Sequence, residues 1–182
     1  FFLQIPPSGD YNKRWNCFEC NLSSKTGKKV NNVLYRINCG GTDTIIGPDK
    51  YQWNAGGPDT HSSDCTVVGG LTARREEALP LYPETYSELL RSELYDMSSI
   101  KFQVPKGRYD ITLVVGVTFE ALKSFTHTYH MTIKGTDISE SITPYDVAQG
   151  FGRAGIVTLR GVPSEHKEIT LKFGQRANIS GI

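Results

Sequence analysis

From Tyr109 onward the chain alternates. Tyr109, Ile111, Leu113, Val115 and Val117 fall on one face of an extended segment, and the residues between them fall on the other. Ile100, Phe102 and Val104 alternate with Ser99, Lys101 and Gln103; Tyr129, Met131 and Ile133 with His130, Thr132 and Lys134; Ile169, Leu171 and Phe173 with Thr170 and Lys172. Period two is the side-chain repeat of a β-strand, so each run can bury one face of a sheet and leave the other wet. Residues 33–39 and 155–160 add two further candidate strands. Pro105-Lys106-Gly107-Arg108 separates two alternating runs and predicts a hairpin, with Pro presetting a turn dihedral and Gly supplying a positive φ. Lys134-Gly135-Thr136-Asp137 and Arg160-Gly161-Val162-Pro163 read as further turns. Only residues 85–95 invite a helix, of one or two turns, because Thr85 and Glu88 stand at capping-box spacing ahead of Leu89 and Leu90. The stretch from Gly40 to about Ala78, with its three Gly-Gly pairs, predicts long loops between short strands. Many antiparallel strands joined by turns indicate an all-β protein, an antiparallel β-sandwich or jelly roll. Residues 1–32 are polar and irregular and read as an N-terminal arm, or an extra strand plus linker, ahead of a domain over 33–182.

Composition narrows the function. The 182 residues are 38% hydrophobic and 21% charged, which is too ordinary for a disordered chain. A formal net charge of +1 without a basic block argues against a nucleic-acid partner, which needs a clustered positive footprint. No apolar run approaches the roughly 20 residues of a membrane span, so no direct membrane insertion is expected. Phe1 to Pro7 lacks the basic opening and long apolar stretch of a secretory leader and reads as the start of an excised or processed piece. Cys17, Cys20, Cys39 and Cys65 allow three pairings, among which sequence does not choose, and they leave the compartment open. Asn21-Leu22-Ser23 and Asn178-Ile179-Ser180 are glycosylation triplets that would matter only in a secretory protein.

Catalytic and metal chemistry find little support. Cys17-Phe18-Glu19-Cys20 has zinc-knuckle spacing but no second close pair, so neither a metal nor another cofactor is expected. His127 and His130 do not share a strand face, and no nucleophile–His–acid spacing stands out. Gly40-Gly41 is not a phosphate loop, because no Gly-Lys-Ser/Thr follows it. Arg74-Arg75-Glu76-Glu77 reads as a solvated loop. An enzyme is therefore not expected.

Four ordered blocks carry a family resemblance over roughly residues 33–182. They are Tyr35-Arg36-Ile37-Asn38-Cys39-Gly40-Gly41-Thr42-Asp43 followed by Trp53; Tyr86 through Tyr95; Ile100 through Leu113; and Tyr145-Asp146-Val147 with the closing run from Ile169 to Phe173. Together they resemble the malectin and malectin-like carbohydrate-binding family. The resemblance implies a galactose-binding-like β-sandwich with ligand loops at one end, where aromatic rings and an Asp hold a sugar. Three positions depart from the family pattern. Val117-Thr118-Phe119-Glu120-Ala121 keeps one aromatic where the family has a pair; Ser63-Asp64-Cys65 stands where a Tyr follows Ser-Asp; and Asn178 lies near the family's ligand Asp without its charge.

A sugar site needs flat rings against C–H faces and polar groups for hydroxyls. The resemblance places Tyr86, Tyr95 and Phe119 as stacking rings, with Glu120 and Asn178 as hydroxyl partners. The resulting expectation is a non-catalytic binding module for a carbohydrate or glycosylated partner, in a secretory or extracellular setting rather than the cytoplasm. The alternative is a protein-interaction or structural module of a larger protein, cytoskeletal or membrane-associated, whose sugar site has decayed.

Overall fold

The computed structural model describes residues 33–58, 65–76, 84–119 and 127–182, with the backbone of Leu3 and Gln4. The strands are, in chain order, β1 (Leu3–Gln4), β2 (Ile37–Cys39), β3 (Ile45–Ile46), β4 (Gln52–Gly56), β5 (Cys65–Arg74), β6 (Ser92–Gln103), β7 (Gly107–Val115), β8 (Tyr129–Ile133), β9 (Ser139–Ile142), β10 (Gly155–Ser164), β11 (Glu168–Phe173) and β12 (Asn178–Ile179). A short helix α1 (Pro144–Ala148) and two 3₁₀ turns, Glu84–Tyr86 and Leu89–Arg91, complete them.

One layer is the sheet β12-β6-β11-β8-β9, with β5 also paired to β6, and every pairing in it is antiparallel. The other contains β1-β7-β10 and the small sheet β2-β4-β3. The last residues stitch the two pieces of this second layer together: Gly181 bridges both Asn38 and Val114, and Ile37 and Ile182 exchange backbone hydrogen bonds of 2.9 and 3.1 Å. Between the layers the alternating residues meet. Ile111 and Leu113 from one sheet pack in one buried cluster with Ile100, Phe102, Met131 and Leu171 from the other. Val114 points the opposite way from Leu113, as period two requires, yet it too is buried, in a second cluster with Trp53, Leu89, Leu90 and Ala154. The 3₁₀ segment and β4 thus cover the outer side of β7. The expected antiparallel β-sandwich is the observed fold.

Several local expectations change. Pro105 to Arg108 is not a hairpin: β6 pairs with β5, β11 and β12, whereas β7 pairs with β1 and β10. The chain arches from one sheet to the other there, with the Tyr109 hydroxyl donating to the Pro105 carbonyl at 2.7 Å. Two alternating runs around a turn can bury the same core from one sheet or from two, so pattern alone does not separate these arrangements. Gly161 lies inside β10, where a register shift between Leu159 and Val162 makes a bulge rather than a turn. Its N–H is taken by the Asp110 carboxylate at 2.9 Å. The segment from Gly40 to Ala78 holds the ten-residue strand β5, which accommodates Gly69-Gly70 as a bulge at positive φ. Thr85 to Tyr95 gives only the two 3₁₀ turns before becoming β6, because Ser92 and Leu94 pair with Arg74 and Thr72. Lys134 to Asp137 does turn as expected, between β8 and β9, with Gly135 at φ 79°.

Candidate functional site

The Asn38-Cys39-Gly40-Gly41 motif is built to bring β2 against the start of β6. Asn38 is buried; its Oδ1 accepts from Ser92 Oγ at 2.9 Å and its Nδ2 donates to the Asp43 carbonyl at 3.2 Å. Gly40 adopts φ 75°, and a Cβ there would lie 2.1 Å from the Glu93 carbonyl oxygen. Only glycine permits both the dihedral and the approach. The motif therefore sets the position of Ser92 and Glu93, at the end of the sandwich where β12 joins β6.

Here Tyr95 stands directly opposite Asn178 in the β6–β12 ladder. Opposed residues of an antiparallel pair share a face, as do residues two apart on one strand, so Glu93 belongs to the same face. Asn178 Nδ2 donates to Glu93 Oε2 at 3.1 Å and to the Gly116 carbonyl at 3.3 Å, while its Oδ1 lies 3.1 Å from His127 Nε2. Asn178 is 6% exposed, and Glu93 is 5% exposed. An Asn178 glycan would have to break this packing, so the second sequon is a poor acceptor.

Burial pushes the Glu93 carboxyl above its ordinary range, against the opposing pull of the Asn178 N–H and the Arg75 charge. A carboxyl raised on folding stabilises the protein fully only below its unfolded pKa, and that contribution is lost as pH rises through the folded value. Glu93→Gln mimics the protonated form. Thermal denaturation should give this variant a higher melting temperature than the parent at pH 7, with the gap closing toward pH 4. A lower melting temperature at pH 7 would show that attraction to Arg75 outweighs desolvation.

Arg75 is partly buried, with its guanidinium 4.5 Å from the centre of the Phe119 ring. This corrects the reading of the Arg74–Glu77 run as a solvated loop: Arg74 pairs with Asp43 at 2.7 Å on the surface, whereas its neighbour folds inward. Phe119, Arg75, Glu93, Asn178 and Tyr95 thus form one linked neighbourhood. Tyr86 sits elsewhere, packed on the Trp53–Leu89–Leu90 cluster, where burial first and the Asp49 charge second raise its phenol pKa. Glu120 lies outside the described residues, as do Cys17 and Cys20. Arg75, Glu93 and His127 were missed by sequence reasoning. Glu93 hides in a Leu94-centred alternation that marks it as outward-facing, and only tertiary contacts such as Asn178 bury it.

Cys39 and Cys65 are both buried and line a cavity of about 220 Å³ among Ile37, Val67, Leu94 and Ile100. Burial drives the Cys39 thiol far up from its ordinary value, which makes it an inert packing group. Among the described residues no group of His, Cys, Asp and Glu is arranged to hold a metal ion, and no helix is long and apolar enough to cross a membrane.

No protein-family description matches this chain, and no curated protein does. Solved structures do. A Bacteroides uniformis beta-glucuronidase superposes with TM-score 0.65 at 16% identity, over 81% of this chain and 17% of that one. The ANXUR2 extracellular domain from Arabidopsis thaliana gives 0.57 at 12% identity, over 81% of this chain and 47% of the other. The plant receptor-like kinase FER gives 0.56 at 15% identity, over 81% and 40%. The fold is an antiparallel β-sandwich of the architecture these domains share. At these identities the likeness concerns architecture, and the chain spans less than half the length of each of these proteins.

Proposed function

We propose that this domain is a non-catalytic binding module whose partner is a carbohydrate or a glycosylated protein, engaged at the end of the sandwich where β6 and β12 meet. The observation that carries the reading is the linked set in which the Phe119 ring lies on Arg75, Glu93 is bonded to Asn178, and Tyr95 stands opposite Asn178 in the ladder. Half-buried rings beside polar groups suit a sugar, which presents C–H faces and hydroxyls together. Tyr95 and Phe119 serve as ring contacts and Glu120, next to Phe119 in the sequence, as a hydroxyl acceptor, whereas Tyr86, packed on the Trp53 cluster, lies outside this set. The extracellular ANXUR2 domain supports this reading by fold, and favours a secretory setting.

A glycan array probed with the chain tests it. Affinity should be modest, roughly micromolar to millimolar, because sugar hydroxyls exchange water for protein at little net gain. Tyr95→Ala and Phe119→Ala should each weaken binding by about 1–3 kcal/mol with the fold intact. A blank array would overturn the sugar reading. The second reading, a protein-interaction module, is favoured by Val68 and Leu71, 51% and 56% exposed on β5, which pairs with β6 on one side only among the described strands.

A further inference from the structure

Asn178 stands at the crossing of three distant parts of the chain. Its amide reaches Glu93 on β6, the Gly116 carbonyl just after β7 and His127 just before β8, separations of 85, 62 and 51 residues. Chemistry decides how the amide is turned. The Gly116 carbonyl can only accept, and so can the Glu93 carboxylate, so Nδ2 and its two hydrogens face them. Oδ1 then faces His127, whose Nε2 must carry a hydrogen to donate. Even the backbone carbonyl of Asn178 is engaged, accepting from the Tyr129 hydroxyl at 3.1 Å. Both amide hydrogens and the side-chain oxygen thus serve the protein itself, in a residue 6% exposed.

Two of these contacts share a meaning. Gly116 and His127 are the two flanks of one connection, the one that leaves β7 and enters β8, and Phe119 lies three residues beyond Gly116. We propose that Asn178 is a positioning residue: its amide clips both flanks of the β7–β8 connection to the buried Glu93, and so holds Phe119 in place rather than touching the ligand. The ligand half of this statement rests on the binding reading above; the clip itself does not. Asparagine suits the position because it alone among side chains of its size donates twice and accepts once from a planar group. Aspartate is isosteric but has no donor, and would set a second carboxylate about 3 Å from Glu93, an arrangement in which both cannot comfortably ionise.

That property gives a test a purely packing role would not pass. The charged and titratable groups around position 178 are Glu93 from β6, Arg75 from the end of β5, His127, and the Tyr129 hydroxyl from β8. Backbone hydrogen exchange at Gly116–Phe119 and Thr128–Tyr129 is compared between Asn178→Asp and the parent at equal pH. At pH 8 the two carboxylates repel, and exchange in both flanks should be roughly tenfold faster than in the parent or more. At pH 5 one carboxyl of the pair is protonated and donates to the other, while the Gly116 carbonyl still lacks its donor; exchange should return close to the parent rate at Thr128–Tyr129 and only part-way at Gly116–Phe119. The double variant Glu93→Gln/Asn178→Asp, in which residue 93 becomes the donor to residue 178, should recover protection at Thr128–Tyr129 at pH 8 and leave Gly116–Phe119 faster than in the parent. Asn178→Ala should loosen both flanks at either pH. Parent-like exchange of Asn178→Asp at pH 8, or no recovery at Thr128–Tyr129 between pH 8 and pH 5, would overturn the clip. Glycan binding at pH 5 decides the ligand half. Asn178→Asp should lose affinity there only as far as Gly116–Phe119 remains exposed, and lost affinity with protected flanks would make Asn178 a contact residue after all. A blank array with the parent would remove the sugar reading while the exchange result still stands.

Discussion

Trp53→Ala is expected to lower stability by about 3–5 kcal/mol, seen as a fall of roughly 6–20 °C in melting temperature. Trp53 is fully buried, and its ring forms the centre of the cluster that covers the outer side of β7 at Val114. Truncation removes the transfer energy of the ring and leaves a cavity that Gly47 and Gly181, already against the indole, cannot fill. It also takes away the Nε1–H donated to Asp49 Oδ1 at 2.8 Å, although Asp49 keeps its ion pair with Arg36. Trp53→Phe should therefore be markedly milder. Chemical denaturation of both variants checks this, and a loss below about 1 kcal/mol for Trp53→Ala would mean that the second cluster contributes little.

Gly40→Ala is the other change with a large expected effect. A Cβ there meets the Glu93 carbonyl oxygen at 2.1 Å and the Glu93 carbonyl carbon at 2.4 Å, both backbone atoms that cannot swing aside. The dihedral of 75° adds left-handed strain. Together these should cost about 2–5 kcal/mol and shift the start of β6, taking Glu93 and its bond to Asn178 out of register. Gly135→Ala is the matching control. Gly135 has nearly the same dihedral, 79°, but nothing lies within 4 Å of its added Cβ. It should lose only about 1 kcal/mol, the conformational term alone. Similar losses at the two positions would show that the close approach at Gly40 is relieved by backbone movement.

The candidate site was legible in part. Tyr95 and Asn178 were both singled out, and the register places them opposite each other. Phe119 was singled out too, but its ring partner, Arg75, lies in a run of charges that reads as solvated by composition alone. Tyr86 joins the other rings only through the family resemblance of its segment; the 3₁₀ turns at Glu84–Tyr86 and Leu89–Arg91 send it instead toward Trp53 and Asp49. Glu93 had no signal at all. A charged residue in alternation with Leu94 is expected in water, and it is buried by contacts distant in sequence, among them Asn178, 85 residues away.

For the four alternating runs the sequence by itself determined that they are extended and which face meets the core between the sheets. The period-two runs at Tyr109–Val117, Ile100–Val104, Tyr129–Ile133 and Ile169–Phe173 contribute about half of the buried cluster, because alternation is a local property of a pleated chain. Tertiary structure alone decided which strands are neighbours. The same Pro105–Arg108 turn serves a hairpin or an arch, and the arch is chosen because β6 is already flanked by β5 on one side and by β11 and β12 on the other, which leaves β7 to build the opposite sheet with β10. It also decided the polar centre. Residues 93, 116, 127 and 178 share no spacing and no motif; they meet because β12 pairs with β6 and the chain then passes at Gly181 to the other sheet, and hydrogen bonds between groups so far apart in the chain exist only once both sheets are in place.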